Sequence, residues 1–280
     1  MSSSSPATDR NAQDVAITAE REETKYLVAA EQLGALSRSI NSRLEPHRFT
    51  GEAANRLPGA QHFTTTIYFD TPSLSYYSAA RANMHSNVKI RAKEYYDLHP
   101  SLAELATDPE QILRYQPWLW FELKRHDGPT TTKRRFRFPK LAAATLFDEN
   151  RRPEELPPAG QERSDAEALI EHVRAQPERV VPSAVVSYRR LSFQNQDGTL
   201  RVTIDLGLSF FRVPRDLFRC TRPLSKSELG TPIAQETRAV VEVKRRAALP
   251  SWLEQALSSA TPEPATFSKF VAASRAIHDA

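Results

Sequence analysis

From residue 118 to residue 125 apolar and polar positions alternate one by one. Leu119, Phe121 and Leu123 fall on one side of an extended chain, and Trp118, Trp120, Glu122 and Lys124 on the other. The same period of two predicts strands over ITAEREETKYLV (17–28), HFTTTIYFD (62–70), NVKIRAKEYY (87–96) and TRAVVEVKRR (237–246). It also predicts two hairpins. One joins WLWFELKR to KRRFRF through Asp127-Gly128-Pro129, and the other runs over 183–213 and turns at Asp197-Gly198. Helical spacing marks 31–44, 73–83, 101–115 and 164–175, with Ser164 as the expected N-cap of the last. Two more helices close the chain at 250–260 and 264–277. Roughly eight strands joined mostly as hairpins predict an antiparallel α+β domain.

The polar sides of these strands are charged, and mostly of one sign. Arg21, Glu23 and Lys25 share a side, as do Lys89, Arg91 and Lys93. Glu122 and Lys124 face Lys133, Arg135 and Arg137 across the hairpin turn. Arg190 and Arg201 sit on opposing strands, Arg201 sharing a side with Thr203 and Asp205, and Glu242 shares one with Lys244. A solvated sheet face would also alternate in this way, stabilised by cross-strand ion pairs. Like charges set opposite one another destabilise a sheet, however, and here cations outnumber carboxylates on nearly every strand. A sheet that curls turns one face inward, and a basic interior is tolerable when an anion or water fills it. The pattern therefore predicts a channel for a polyphosphate-like anion.

Composition narrows the alternatives. The 280 residues carry a net charge of only +4, so it is the placement of the cations that matters. Eight glycines form no phosphate-binding loop of the GxxxxGK[ST] or GxGxxG kind, and neither GxSxG nor HExxH occurs. The single cysteine, Cys220, rules out an internal disulfide and fits a reducing, cytoplasmic setting. No apolar run approaches the length of a membrane span, and the polar start reads as a disordered tail over 1–17 ahead of one domain over 18–280. The basic strands lack a regular aromatic array, so nucleic acid is not the expected partner.

Taken in order, the segments RxExKY (Arg21 to Tyr26), YFDT (Tyr68 to Thr71), KIRxK (Lys89 to Lys93), FELK (Phe121 to Lys124), TKRRF (Thr132 to Phe136), SYRRxSF (Ser187 to Phe193), RVTID (Arg201 to Asp205), VEVK (Val241 to Lys244) and FSKF (Phe267 to Phe270) resemble the VTC domain. That is the polyphosphate polymerase domain of the vacuolar transporter chaperone complex, within the CYTH or triphosphate tunnel superfamily. The resemblance implies an eight-stranded antiparallel tunnel barrel with flanking helices. It implies phosphate ligands at Lys25, Arg91, Lys93, Lys124, Lys133, Arg190, Arg201 and Lys269. Arg21, Lys89, Arg135 and Lys244 are assigned to the surrounding substrate-binding set, and Glu242, with Glu122, to a divalent Mn²⁺ or Mg²⁺. For Glu242 the rival reading is an ion pair with Lys244; for Glu122 it is the positioning of Lys124; Glu23 is expected to orient Arg21 and Lys25. The implied substrates are a nucleoside triphosphate and a polyphosphate chain, with hydrolysis of triphosphate or simple polyanion binding as alternatives. The family's regulatory SPX module and membrane helices have no counterpart here, so any membrane partner is expected to be a separate protein. The chain departs from the family at Lys93, where Arg is common, and at Thr266, where Lys is. The first keeps charge and loses the guanidinium fork; the second loses a cation.

Overall fold

The computed structural model describes residues 22–47, 61–82, 86–96, 118–127, 130–218, 224, 229–261 and 263–279. The expected tail, Arg21, the whole of the expected helix over 101–115 and the turn residues Gly128 and Pro129 lie outside the described residues. In chain order the elements are β1 (Glu22–Val28), α1 (Ala30–Asn41), β2 (Glu45–Pro46), β3 (Gln61–Asp70), α2 (Ser75–Ala82), β4 (Ser86–Tyr96), β5 (Trp118–Asp127), β6 (Thr130–Pro139), α3 (Lys140–Phe147), α4 (Gln161–Arg174), β7 (Val181–Gln194), β8 (Leu200–Phe211), β9 (Ala234–Glu236), β10 (Ala239–Arg245), α5 (Ser251–Ala260) and α6 (Lys269–His278).

The ten strands of the described residues join one sheet. Eight follow the path β1-β10-β8-β7-β3-β4-β5-β6, while the short β2 and β9 attach to β7 and β8. Every pairing along the path is antiparallel. These eight strands are the eight that alternation predicts. The sheet is curled rather than ladder-closed: β1 and β6 are its two edges, with no backbone pairing between them among the described residues. Register shifts on β7, opposite Tyr68/Phe69 and between Ser187 and Arg189, interrupt its ladders at the middle of the path. Such bulges raise local twist and bend a strand.

The convex side is apolar and covered by helices. Phe69, Phe121, Phe136, Phe138, Phe147 and Phe218 form a buried layer between the sheet and α3. Burying each such ring contributes about 1.5–3 kcal/mol. A second cluster sets Leu36 and Ile40 of α1 and Leu253 and Leu257 of α5 against Val202, Ile204, Val241 and Val243. In α1 the apolar residues recur at a spacing of four, which gives the helix one buried stripe. Helix α4 begins at Gln161, and Ser164 lies inside its first turn instead of capping it. The cap position is Gly160, at φ 133, a conformation that side chains rarely adopt and glycine takes without strain. Among the described residues no helix is long and apolar enough to cross a membrane.

Candidate active site

Register decides which residues share the concave side. Across β4, β5 and β6 the aligned rows are Lys89–Lys124–Lys133, Arg91–Glu122–Arg135 and Lys93–Trp120–Arg137. Across β1, β10 and β8 they are Lys25–Glu242–Thr203 and Glu23–Lys244–Arg201. On β7, Arg190 stands opposite Asp205 of β8. On a flat sheet, with strands about 4.8 Å apart, β1 and β4 would stand roughly 24 Å from each other. Instead Lys25 and Glu23 of β1 act electrostatically on Lys89 of β4, and Lys244 of β10 acts on Lys133 of β6. The two flanks of the sheet thus face each other across one basic channel.

Three carboxylate anchors organise the cations. Glu122, whose side chain is 2% exposed, meets Arg91 at 2.5 Å, Lys93 at 3.3 Å, Lys133 at 3.5 Å and Arg135 at 3.7 Å. Burial pushes its carboxyl upward, but Arg91, Lys93, Lys133 and Arg135 together hold it well below the usual carboxylate range. Asp205, fully buried, takes both guanidinium arms of Arg190 at 2.5 and 2.7 Å, and Lys269 from α6 at 2.5 Å. Arg190 and Lys269 both stand over the Tyr188 ring, 5.5 and 5.0 Å from its centre. The third anchor is a pair of acids. Lys244 lies 2.8 Å from Glu242 and 3.4 Å from Glu23, and Lys25 lies 3.0 Å from Glu23.

Between these anchors runs a row of lysines in direct register. Among the described residues neither Lys89 nor Lys124 has a carboxylate within ion-pair distance. Burial, then Lys124, Lys25 and Arg91, push Lys89 down to about 8. Lys124 is also pushed down to about 8, chiefly by burial; Glu23 opposes that shift, and Arg91, Lys244 and Lys25 add to it. Lys93 is lowered well below the ordinary lysine value by burial and by Arg91. At the same mouth His126 is held near 4 by burial and by Lys124 and Lys89. At the other end Trp120 stacks under Arg135 at 4.3 Å, and Trp118 is 41% exposed. A groove on the convex side, lined by Arg125, Arg134 and His172, lies away from the channel; there Arg134 is paired with Asp165 at 3.1 Å.

Of the residues that sequence reasoning nominates, Lys25, Lys89, Arg91, Lys93, Lys124, Lys133, Arg135, Arg190, Arg201, Lys244 and Glu242 share the concave face, and Lys269 reaches it from α6. Arg201 donates to Gln194 Oε1 at 3.0 Å. One expectation about a carboxylate changes, and one, for Glu23 with Lys25, is extended. Glu122 does not position Lys124: its oxygens are taken by cations on β4 and β6. This also makes it a poor metal ligand, because an added cation would have to displace bound ones. Glu23 holds Lys25 and Lys244 as well as standing beside Glu242, whose charge is the largest influence on its own. Sequence reasoning assigned no role to Asp205, although its parity with Arg201 in RVTID signals an inward acid.

A hard divalent ion suits oxygen donors. Glu242 and Glu23 supply two carboxylates, and beside Glu242 in register lies Thr203, whose buried hydroxyl has no partner among the described residues. A divalent ion would have to displace Lys244 and Lys25 from this pair, against four cations at Glu122, so these residues fit Mg²⁺ or Mn²⁺ better than Glu242 with Glu122 would. Among the described residues no group of three or more His, Cys, Asp or Glu could hold a metal, so phosphate oxygens and water would complete the coordination.

The VTC domain model matches residues 20–278. The chain belongs to the VTC family. This VTC chain matches no curated protein. Among solved structures it is similar to a candidate adenylate cyclase from Bacillus halodurans, at 12% identity over 89% of this chain and 95% of that one, with a TM-score of 0.46. It is also similar to a candidate adenylyl cyclase from Hippeastrum with a dominant triphosphatase activity, at 11% identity over 90% and 93% of the two chains, with a TM-score of 0.45.

Proposed function

We propose that the protein is a phosphotransferase that moves the γ-phosphate of a nucleoside triphosphate onto the end of a polyphosphate chain inside this channel. Membership of the VTC family supports a polyphosphate-related or triphosphatase-type activity. The observation that carries the reading is the row Lys89–Lys124–Lys133, three cations in cross-strand register facing a concave surface. Like charges so placed destabilise the free sheet, and a polyvalent anion relieves them.

In this reading Arg91, Arg190 and Arg201 grip phosphate oxygens with planar forks, and Lys25, Lys89, Lys124, Lys133 and Lys269 supply point charge. Donor and acceptor are held in line by this lattice. A terminal phosphate oxygen of the chain attacks the γ-phosphorus, the bond to the nucleoside diphosphate breaks, and the diphosphate leaves. The attacking oxygen is already anionic at neutral pH, so no general base is needed. Hydrolysis would need a carboxylate to activate water. Glu122 and Asp205 are occupied by cations, and Glu242 and Glu23 by Lys244, which favours transfer. A divalent ion held by Glu242 and Glu23 would offset charge developing on the transferred group.

Incubation with ATP and Mn²⁺, followed by sizing of the products, tests this. Long chains are the expected result. Orthophosphate as the sole product would replace the proposal with a triphosphatase, and tight triphosphate binding without turnover would replace it with a binding module.

A further inference from the structure

The middle of the channel floor is not basic. Strand β3 lies between the Glu122 cluster on β4–β6 and the Asp205 cluster on β7, β8 and α6. There Thr66 stands opposite Lys93 on β4 and Val186 on β7, and Thr64 opposite Tyr95 and Tyr188. Both threonines are 1% exposed, and neither hydroxyl has a hydrogen-bond partner among the described residues. Buried hydroxyls are nearly always paired, so two consecutive inward ones without partners require an explanation. Packing does not supply one, because valine has almost the same shape and avoids the desolvation cost.

An extended anion that touches both clusters must cross β3. Its oxygens over that strand meet no cation rooted there; of the inward hydroxyls of β3, that of Tyr68 is engaged with Arg91, and those of Thr64 and Thr66 remain. We propose that Thr64 and Thr66 donate hydrogen bonds to the phosphate oxygens at the mid-point of the bound anion. In the free protein both are buried, Thr66 beside Lys93, which is turned to Glu122. Phosphate draws Lys93 away from Glu122 and uncovers them. The threonines are thus neutral ligands that fix the register of the chain without adding charge to an already repulsive site. The inference rests on the reading of the channel as a phosphate site.

Thr65 provides an internal control. It is also fully buried and its hydroxyl is also without a partner among the described residues, but it points to the convex side. Binding of inorganic triphosphate is measured by calorimetry, and thermal stability without ligand by melting. Thr66→Val and Thr64→Val should each weaken binding about tenfold while leaving the melting temperature of the free protein unchanged or higher. Thr66→Ser and Thr64→Ser should restore binding. Thr65→Val should leave binding unchanged. Wild-type affinity in both inward valine variants overturns the inference while the phosphate reading stands. Weakened binding accompanied by a lower melting temperature and no rescue by serine also overturns it, because the role would then be structural. Failure of the wild-type protein to bind triphosphate removes the phosphate reading itself.

Discussion

Glu122 shows how one buried residue can hold a repulsive site together. Four cations converge on it, two from β4 and two from β6. Replacing it by Gln keeps the shape and removes the charge, so Arg91, Lys93, Lys133 and Arg135 would repel one another without a counter-ion. Glu122→Gln should therefore cost about 3–5 kcal/mol in chemical denaturation, and triphosphate should recover more stability in the variant than in the wild-type protein. Equal recovery in both would mean that the anion does not engage this cluster. Lys93 illustrates a family departure in physical terms. A guanidinium could serve Glu122 and a phosphate together, whereas one ammonium at 3.3 Å from Glu122 has to divide itself. Asp70, within the family-like YFDT segment, serves the fold: its oxygens accept the backbone N–H groups of Tyr76 and Tyr77, both at 2.8 Å, at the start of α2. Side-chain parity along a strand was enough to place most cations, since it follows from backbone geometry alone. Which carboxylate serves which cation was not legible, because Glu122 pairs across strands and Asp205 with a distant helix.

At the scale of elements, α6 is the part whose role depends most on docking. Its period predicts a buried stripe, and Phe270, Ala273 and Ile277 form it. Phe270 packs against Tyr68 with ring centres 5.3 Å apart and against Tyr77 at 6.5 Å. Ser268 caps the helix by accepting from Val271 N, which fixes where Lys269 begins its reach toward Asp205. Phe270→Ala should cost about 3–5 kcal/mol. It should also weaken triphosphate binding beyond the effect of an equally destabilising change in the α1–α5 layer, such as Leu253→Ala. If the two variants bind alike, α6 is a brace and not a carrier of Lys269. The second hairpin was readable down to its turn: Gly198 takes φ 71, and Asp197 accepts from Thr199 N at 2.9 Å. The start of α4 was not, because Ser164 satisfies the local preference for a cap while the chain enters the helix four residues earlier through Gly160.

At the scale of the molecule, curling creates the electrostatics. Lys25 from one edge of the sheet meets Lys89 and Lys124 near the other, and both of these lysines fall to about 8. In the unfolded chain they would titrate near their ordinary value, so between about pH 8 and 10.5 the unfolded state binds more protons. The stability of the free protein should therefore rise with pH over that window, with the full repulsive penalty present below it. A bound anion raises both lysines again. Triphosphate binding should take up protons near pH 8 and weaken between about pH 7 and 9.5, as calorimetry in buffers of different ionisation enthalpy would show. Binding that is independent of pH across this range would contradict the placement of Lys89 and Lys124 at the anion. The sequence alone determined the strands, their two-sided character and the sign of the polar side, because alternation and propensity are local properties. It also carried the order of motifs by which the family is recognised. Only the tertiary structure decided that β1 and β4 face each other, which acids are occupied and which form the Glu23–Glu242 pair, and where unpartnered hydroxyls lie. These depend on strand order and curvature, which bring together residues far apart in the chain and leave no periodic trace in it.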